Sequence, residues 1–427
     1  MIDVDGIRFA STLSETAAGR TMTFEAPLPG TALRLVKTFE IARDGYQVVL
    51  TVRIDGPAAS EFMSGRSLAL ELAPGHGLHP LSAAGFSSAL ERVGPVVVGA
   101  GGVRTPGDAH ASTLGAGEWS GWRNRFWTIL ARAEGPATVE LGPREVIALV
   151  AAPDPARLSW RYVLYAGPVE RSSLAREDPE LGRLLFSGLW WWLRALSFAL
   201  LYLLGALIAV VGHPGLAIIA LAATVKLLLL PLTTVAHRLQ EQVNTTQARL
   251  QPRIDAIKAE HRGEDQARRL VALYREERVH PFYTVKSLVG VLIQLPVFIA
   301  VFDMLAEDFD LLRVPFLWIH DLSRPDELLA LPGCLPFFGC YLNLLPFLMS
   351  GISLIAALRF HSGVLTPALA ERQRRNLAGM AILFFLLFFT FPAGMVLYWT
   401  STNGLQLATR EVGRLRARRG ASAPASG

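Results

Sequence analysis

One lysine stands alone in GLAIIALAATVKLLLLPLTTV, the stretch from Gly215 to Val235. At a 1.5 Å rise per residue this run covers roughly 30 Å, the thickness of a bilayer's hydrocarbon core, so it reads as a membrane-spanning helix. A lysine at its middle costs about 2.5 to 3.5 kcal/mol on insertion scales, which favours a watery cavity or a partner over lipid for Lys226. Taken alone, the residue also fits a side chain that snorkels to the nearer interface along its four methylenes.

Few other polar residues interrupt the apolar runs of the second half: Thr224, Gln294, Asp303, Asn343, Thr400, Ser401, Thr402, Asn403 and Gln406. Thr402, Gln406 and Thr409 share one helical face. Singly, Gln294 or Asn343 reads as a bond between helices, worth about 0.6 kcal/mol. Together with the lysine the set describes a hydrated groove. Asp303 falls near the outer end of its run, at a different depth from Lys226, so the two are not expected to pair.

Other chemistries are poorly served. Ser350 and His361 are the only nucleophile and base that suggest an intramembrane hydrolase, and they are eleven residues apart with no GxSxG, HExxH or glycine-rich aspartate motif. A small-solute transporter would show paired repeats with broken helices, and no repeat is evident. Without a GxxxxGK[ST] loop, direct use of ATP is not expected, and neither is enzymatic activity. His76 and His79 near Glu71, in ELAPGHGLHP, are residue types that hold a metal or a sugar, but the flanking Pro and Gly describe a surface loop. No metal or cofactor is expected. Cys334 and Cys340 lie six apart in an apolar segment; on a helix they face different ways, so a disulfide is not expected either.

The elements that carry these residues follow from an uneven composition. The 427 residues are 51% hydrophobic and only 18% charged, and the apolar excess lies almost wholly after Leu189. Before that point the chain reads as a water-soluble, mostly antiparallel β-sandwich over 1–170, with strands across Met22 to Ile54 folded back at Asp44-Gly45. Further strands fit Ser67 to Leu72, Val93 to Val98, Phe126 to Ala133, Ala137 to Leu141 and Leu158 to Tyr165. Residues 171–214 read as an amphipathic, interfacial linker. Trp190, Trp191 and Trp192 suit the headgroup level, and the run Ala195 to Val211, slightly short for a span, is expected to lie along the bilayer, with a full span as the alternative.

Residues 215–409 read as an all-α polytopic core of five spans: 215–235, 284–306, 335–358, 377–391 and 394–409. Between the first two, 237–283 carries apolar residues at helical spacing on either side of Gly263, a helical hairpin that projects into water. It holds many Arg and Lys, as does the tail 410–427, so both are placed in the cytoplasm and the β domain outside. The net charge of +5 is thereby a topology signal; no aromatic interleaving points to DNA. Met1 to Arg20 contains no apolar run long enough for a leader or anchor, so an upstream helix is expected to be missing.

Several segments resemble the YidC/Oxa/Alb membrane protein insertases, in their bacterial form: TVKLLLLPLT (224–233), LQPRIDAIKAEH (250–261) with ALYREERVHP (272–281), IQLPVFIAVFDML (293–305), PFLWIHDLS (315–323) and FPAGMVLYWTSTN (391–403). They cover the second half in the family's order; in the first half VLYAGPVE (163–170) is the best stretch. Lys226 stands where the family usually has arginine, keeping the charge but losing the two-pronged donor, and Asp303 stands where an aromatic residue is common. The resemblance implies an insertase of the bacterial inner membrane with a periplasmic N-terminal domain and a cytoplasmic tail. Its partners would be nascent membrane proteins, the lipid bilayer, the Sec translocon and the ribosome. The groove would be lined by Lys226, Thr224, Gln294, Asp303, Thr402, Asn403 and Gln406. Phe298, Phe302, Phe384 and Phe388 would form an apolar slide for the inserting segment.

Overall fold

The alternation read around Leu35 to Ile54 becomes paired strands in the computed structural model, which describes residues 7–17, 19–64, 66–73, 78, 90–105, 112–115, 117–135, 137–142, 146–154, 158–279, 288–359 and 367–421. Strands β1 (Ala10–Glu15), β2 (Gly19–Pro27), β3 (Arg34–Ala42) and β4 (Gln47–Asp55) form an antiparallel meander. The β3–β4 connection holds Asp44-Gly45, with Gly45 at φ 109°, a conformation open to glycine at little cost. A short helix α1 (Ala59–Met63) leads to β5 (Leu68–Leu72), β6 (Gly94–Gly99), β7 (Gly102–Arg104), β8 (Ser112–Leu114), β9 (Trp119–Arg123), β10 (Trp127–Ala133), β11 (Ala137–Gly142), β12 (Val146–Ala151), β13 (Ser159–Pro168) and α2 (Arg171–Glu177).

These strands build a nine-stranded sheet, β1-β2-β3-β4-β13-β10-β9-β6-β7, and a four-stranded sheet, β5-β12-β11-β8. Both contribute to one core: Leu35, Leu50, Val52, Trp122 and Trp160 from the first, Val139, Ile147 and Leu149 from the second. This is the sandwich expected from the sequence. Its buried indoles are satisfied across the sheets, Trp122 Nε1 donating to the Leu72 carbonyl at 2.9 Å and Trp160 Nε1 to that of Ala151 at 3.1 Å. Trp119 Nε1 donates to the buried carboxylate of Asp178, which also receives Arg132 at 2.6 Å. His76 and His79 lie outside the described residues.

The chain divides into two compact units, one holding the strands up to Leu189 and the other the long helices from Trp190 on. In the second, α3 (Trp191–Val211) starts four residues before Ala195 and has 21 residues, so it is by itself long and apolar enough to cross a membrane. That length is the one the spanning reading of this segment requires. Leu193, Ser197, Leu200 and Leu204 recur at helical spacing as its buried side. Helix α4 (Pro214–Leu228) opens with His213 Nδ1 accepting the Gly215 N–H at 3.0 Å, and α5 (Leu230–Glu260) follows at a 59° bend. The apolar run 215–235 is therefore two helix segments rather than the continuous helix the sequence suggested. Pro231 has no N–H to give, and its ring collides with the carbonyl four residues back.

Helices α5 and α6 (Gly263–Glu276) form the expected hairpin, closed by Leu250, Ile254 and Leu273 with Ile257, Leu270 and Tyr274 packed against them. Arg253 adds ion pairs to Glu276 and Glu277, each at 2.8 Å. Then come α7 (Val289–Glu307), β14 (Leu329–Leu335), β15 (Gly339–Leu342), α8 (Leu344–Leu358), α9 (Pro367–Phe388) and α10 (Ala393–Ala421). Residues 335–343, expected to begin a helix, instead complete a β-hairpin. Leu335 pairs with Gly339, which sets Cys334 opposite Cys340, and the two form a disulfide. The expectation of free cysteines fails because it assumed a helix; six residues apart, the two face each other across a tight turn. Helix α8 has only 15 residues as a result. Among the described residues α3 alone, or α3 and the bent α4–α5 pair, meet the length and composition of a span.

Asp326 anchors α8. Its Oδ2 accepts the Leu344 and Leu345 N–H groups at 2.7 and 2.8 Å and the Trp318 indole at 3.1 Å, satisfying helix-end donors that no adjacent side chain caps. Helix α10 packs against α4 and α8, α8 against α9, and α3 against α4.

Candidate functional site

Lys226 sits two residues before the end of α4, half-buried. The bend at Leu229 turns a mid-helix position into a last-turn one, where unpaired carbonyls favour a cation. Around it Leu227, Leu228, Leu230 and Leu232 are exposed, so the ammonium leaves an apolar surface. Among the described residues it makes no ion pair or side-chain hydrogen bond. Arg410 of α10 acts on it as a like charge.

The polar residues divide between satisfied and open groups. Thr224 donates to the Ala220 carbonyl at 2.9 Å, and Thr400, Ser401 and Thr402 donate to carbonyls four residues back at 2.7, 2.7 and 3.0 Å. Such bonds let a hydroxyl sit in an apolar helix without an outside partner. Asn403 Nδ2 donates to Ser353 Oγ at 3.0 Å and ties α10 to α8. Gln406 on α10 and Gln294 on α7 are exposed. The packing of α4 on α10 thus gathers Thr224 and Lys226 on one helix against the helix of Thr402, Asn403 and Gln406, without a direct side-chain bond between the two groups among the described residues.

Asp303 and Asn343 belong elsewhere. Asp303 is four residues from the end of α7, half-buried. Three residues before it, the Ala300 carbonyl accepts Ser197 Oγ of α3 at 3.2 Å. At the start of α4, the Gly215 Cα meets the Phe316 ring so closely that a Cβ would overlap it, and Phe316 lies in the loop nine residues after the end of α7. Lys226, eleven residues further along α4, is about 16 Å from that end. Asn343 lies ahead of α8, where its Oδ1 accepts the Glu327 N–H at 3.0 Å and its Nδ2 donates to the Phe389 carbonyl at 2.7 Å.

The four expected slide phenylalanines come together. Phe298 and Phe302 of α7 are 5.0 Å apart between ring centroids; Phe302 meets Phe388 at 5.5 Å, and Phe384 meets Phe388 at 5.9 Å. Two rings the sequence reading did not assign complete the cluster: Trp399, at 5.0 Å from Phe298 and 5.7 Å from Phe384, and Phe391, at 5.2 Å from Phe302. Phe388 is buried and the other three slide residues are half-buried. Large rings, rather than close backbone packing, hold α7 to α9 and α10.

Ser350 serves packing as well, donating to the Ala381 carbonyl of α9 at 3.3 Å, and His361 lies outside the described residues.

Residues 206–416, which hold all of the expected groove and slide positions, match the family model described as 60Kd inner membrane protein. A membrane protein insertase YidC of Ralstonia nicotianae is 33% identical over 57% of this chain and 40% of its own length. One from Francisella tularensis subsp. novicida is 32% identical over 58% of this chain and 40% of its own. Over residues 206–416 the chain belongs to the YidC family. Its matched part spans well under two thirds of the length of these YidC relatives. A crystal structure of an active YidC insertase with its first transmembrane domain resolved aligns at 18% identity and a TM-score of 0.37, over 95% of this chain and 83% of that one.

Sequence reasoning missed four residues of this site, Phe391 among them. Trp399 was visible as a large ring one turn before Asn403, and Ser353 as a hydroxyl three residues after Ser350. Arg410 was counted with the tail, although α10 continues unbroken through it.

Proposed function

We propose that this chain is a membrane protein insertase, moving nascent membrane proteins from the cytoplasm into the bilayer through a hydrated, positively charged groove without using ATP. In this reading α4, α7, α8, the apolar half of α9 and the first half of α10 cross the bacterial inner membrane. The β-sandwich is periplasmic; the α5–α6 hairpin and the basic tail are cytoplasmic, where they meet clients, the ribosome and the Sec translocon. Lys226 attracts an acidic leading segment, while Thr224, Gln294, Thr402, Asn403 and Gln406 stand in for water along its path. The adjacent apolar segment leaves past Phe298, Phe302, Phe384 and Phe388 into lipid, driven by hydrophobic transfer. Asp303, at another depth, acts at the outer end of that path rather than on Lys226.

One observation carries the reading: a half-buried lysine without an ion-pair partner among the described residues, on an apolar helix packed against α10, the helix of Thr402, Asn403 and Gln406. A cation so placed is retained at a cost unless it does work on a passing ligand. The test is reconstitution of the chain in liposomes with a small single-span client bearing an acidic leading segment. Lys226→Ala is expected to lower insertion about tenfold, the effect of about 1.4 kcal/mol, and Lys226→Arg to preserve it. Equal insertion by all three proteins would refute the attraction step.

A further inference from the structure

The disulfide hairpin between α7 and α8 has no part in the groove. From Leu328 to Leu358 the sequence holds no charged residue, and β14, β15 and their turn fill its first half. Leu329, Leu335, Phe337 and Tyr341 are exposed, at 59, 55, 41 and 41%. Six of the seven residues of β14 are exposed, on both sides of a register shift between Ala330 and Leu335, so both faces of the ribbon are apolar and open. A protein partner covers one face of such a ribbon; a surrounding medium covers both. A two-stranded ribbon also keeps unpaired N–H and C=O groups on its outer edges, which the hydrocarbon core does not tolerate. Its medium is therefore the interfacial layer, where aromatic side chains collect. The apolar surface runs on into α8, where Phe347, Leu348, Leu354, Ile355 and Leu358 are exposed.

We propose that the Cys334–Cys340 hairpin is a lipid-docking element, lying in the headgroup layer of the leaflet at the N-terminal end of α8. An isolated two-stranded hairpin is marginal in water; the disulfide holds the strands together, and Phe338, at 5.0 Å from Phe389, fixes the turn to the end of α9. A disulfide persists in an oxidising compartment, so this leaflet is the outer one. The proposal rests on the membrane placement of α8 and α9 given above.

The test is ¹⁹F NMR on the full chain reconstituted in phosphatidylethanolamine/phosphatidylglycerol vesicles, with trifluoromethylphenylalanine placed singly at Tyr46, Phe337 or Ile382. A headgroup-attached nitroxide lipid should broaden the probe at Phe337 several-fold, and a soluble gadolinium chelate outside should spare it while broadening the probe at Tyr46. Chelate broadening at Phe337 equal to that at Tyr46 would overturn the proposal. So would protection from both agents, the mark of a protein cover. A probe at Ile382 of α9, 62% exposed, separates the two failures, using a nitroxide placed along the acyl chain. If lipid broadens Ile382 but not Phe337, the hairpin proposal alone falls; if it broadens neither, the membrane placement falls with it. In Cys334→Ser/Cys340→Ser the chelate should gain access to Phe337, and unchanged protection would overturn the role given to the disulfide.

Discussion

The β-sandwich and the helical unit use apolar side chains in opposite senses. Among the described residues before Leu189, the large hydrophobics left exposed are Leu13, Ile41, Tyr46 and Trp127, scattered singly on a surface whose core holds Trp160, Tyr162, Ile147 and Leu149 almost free of solvent. From Trp190 on, exposed apolar side chains form continuous surfaces: Leu227, Leu228, Leu230 and Leu232 about the α4–α5 bend, and Met380, Ile382, Leu383 and Leu386 along α9. Isolated exposed hydrophobics need no explanation, whereas contiguous ones mark a partner or a membrane. Polar groups mirror this. In the sandwich, buried Asp178 gathers charged and neutral donors; in the helices, hydroxyls turn back on their own backbone.

This contrast can be broken by substitutions of like size in the two units. Trp160→Ala empties the sandwich core and should cost about 3 to 5 kcal/mol, seen as lost hydrogen-exchange protection in β4, β10 and β13 with that of α8 and α9 unchanged. Ile382→Asp places a charge on a surface assigned to lipid and should cost about 2.5 to 3.5 kcal/mol of membrane insertion, read from the fraction of chain resisting carbonate extraction. Asn403→Ala removes the tie to Ser353 and should cost about 0.6 kcal/mol. A double-mutant cycle with Ser353→Ala, on thermal unfolding in detergent, should return that coupling. Ile41→Thr, also at an exposed position but in the sandwich, should stay within about 0.5 kcal/mol. If Ile41→Thr and Ile382→Asp proved equally harmless, the two surfaces would not differ in kind.

The sandwich was legible where strands alternate or are rich in β-branched residues, as in β3, β4 and β13. It was not legible in β9, whose WSGWR is too short to show a period, or in β12, whose VIALVA is apolar throughout. The same ambiguity misplaced 335–343. A charge-free run has no amphipathic period to separate strand from helix, and Pro336 and Gly339, at the turn between β14 and β15, were read as parts of a span. The cysteine pairing failed with it, since opposition across a hairpin exists only once the turn is placed. At Lys226 the residue and its apolar setting were plain in the sequence. Its last-turn position was not, because the run was read for length while Pro231, the cause of the break, stood five residues beyond. The aromatic cluster was half legible: the phenylalanines repeat at four-residue spacing within each helix, but the approach of Trp399 depends on how separate helices pack.

The central claim is that the Lys226 position faces water continuous with the cytoplasm. Its most direct test is Lys226→Cys in a Cys334→Ser/Cys340→Ser background, probed in inside-out membrane vesicles with a charged, membrane-impermeant maleimide. The account predicts labelling of position 226 from the cytoplasmic face, at a rate within about tenfold of an exposed hairpin position such as Arg268→Cys. No labelling by the charged reagent, with full labelling by a lipid-soluble maleimide, would put the side chain in the hydrocarbon and contradict it.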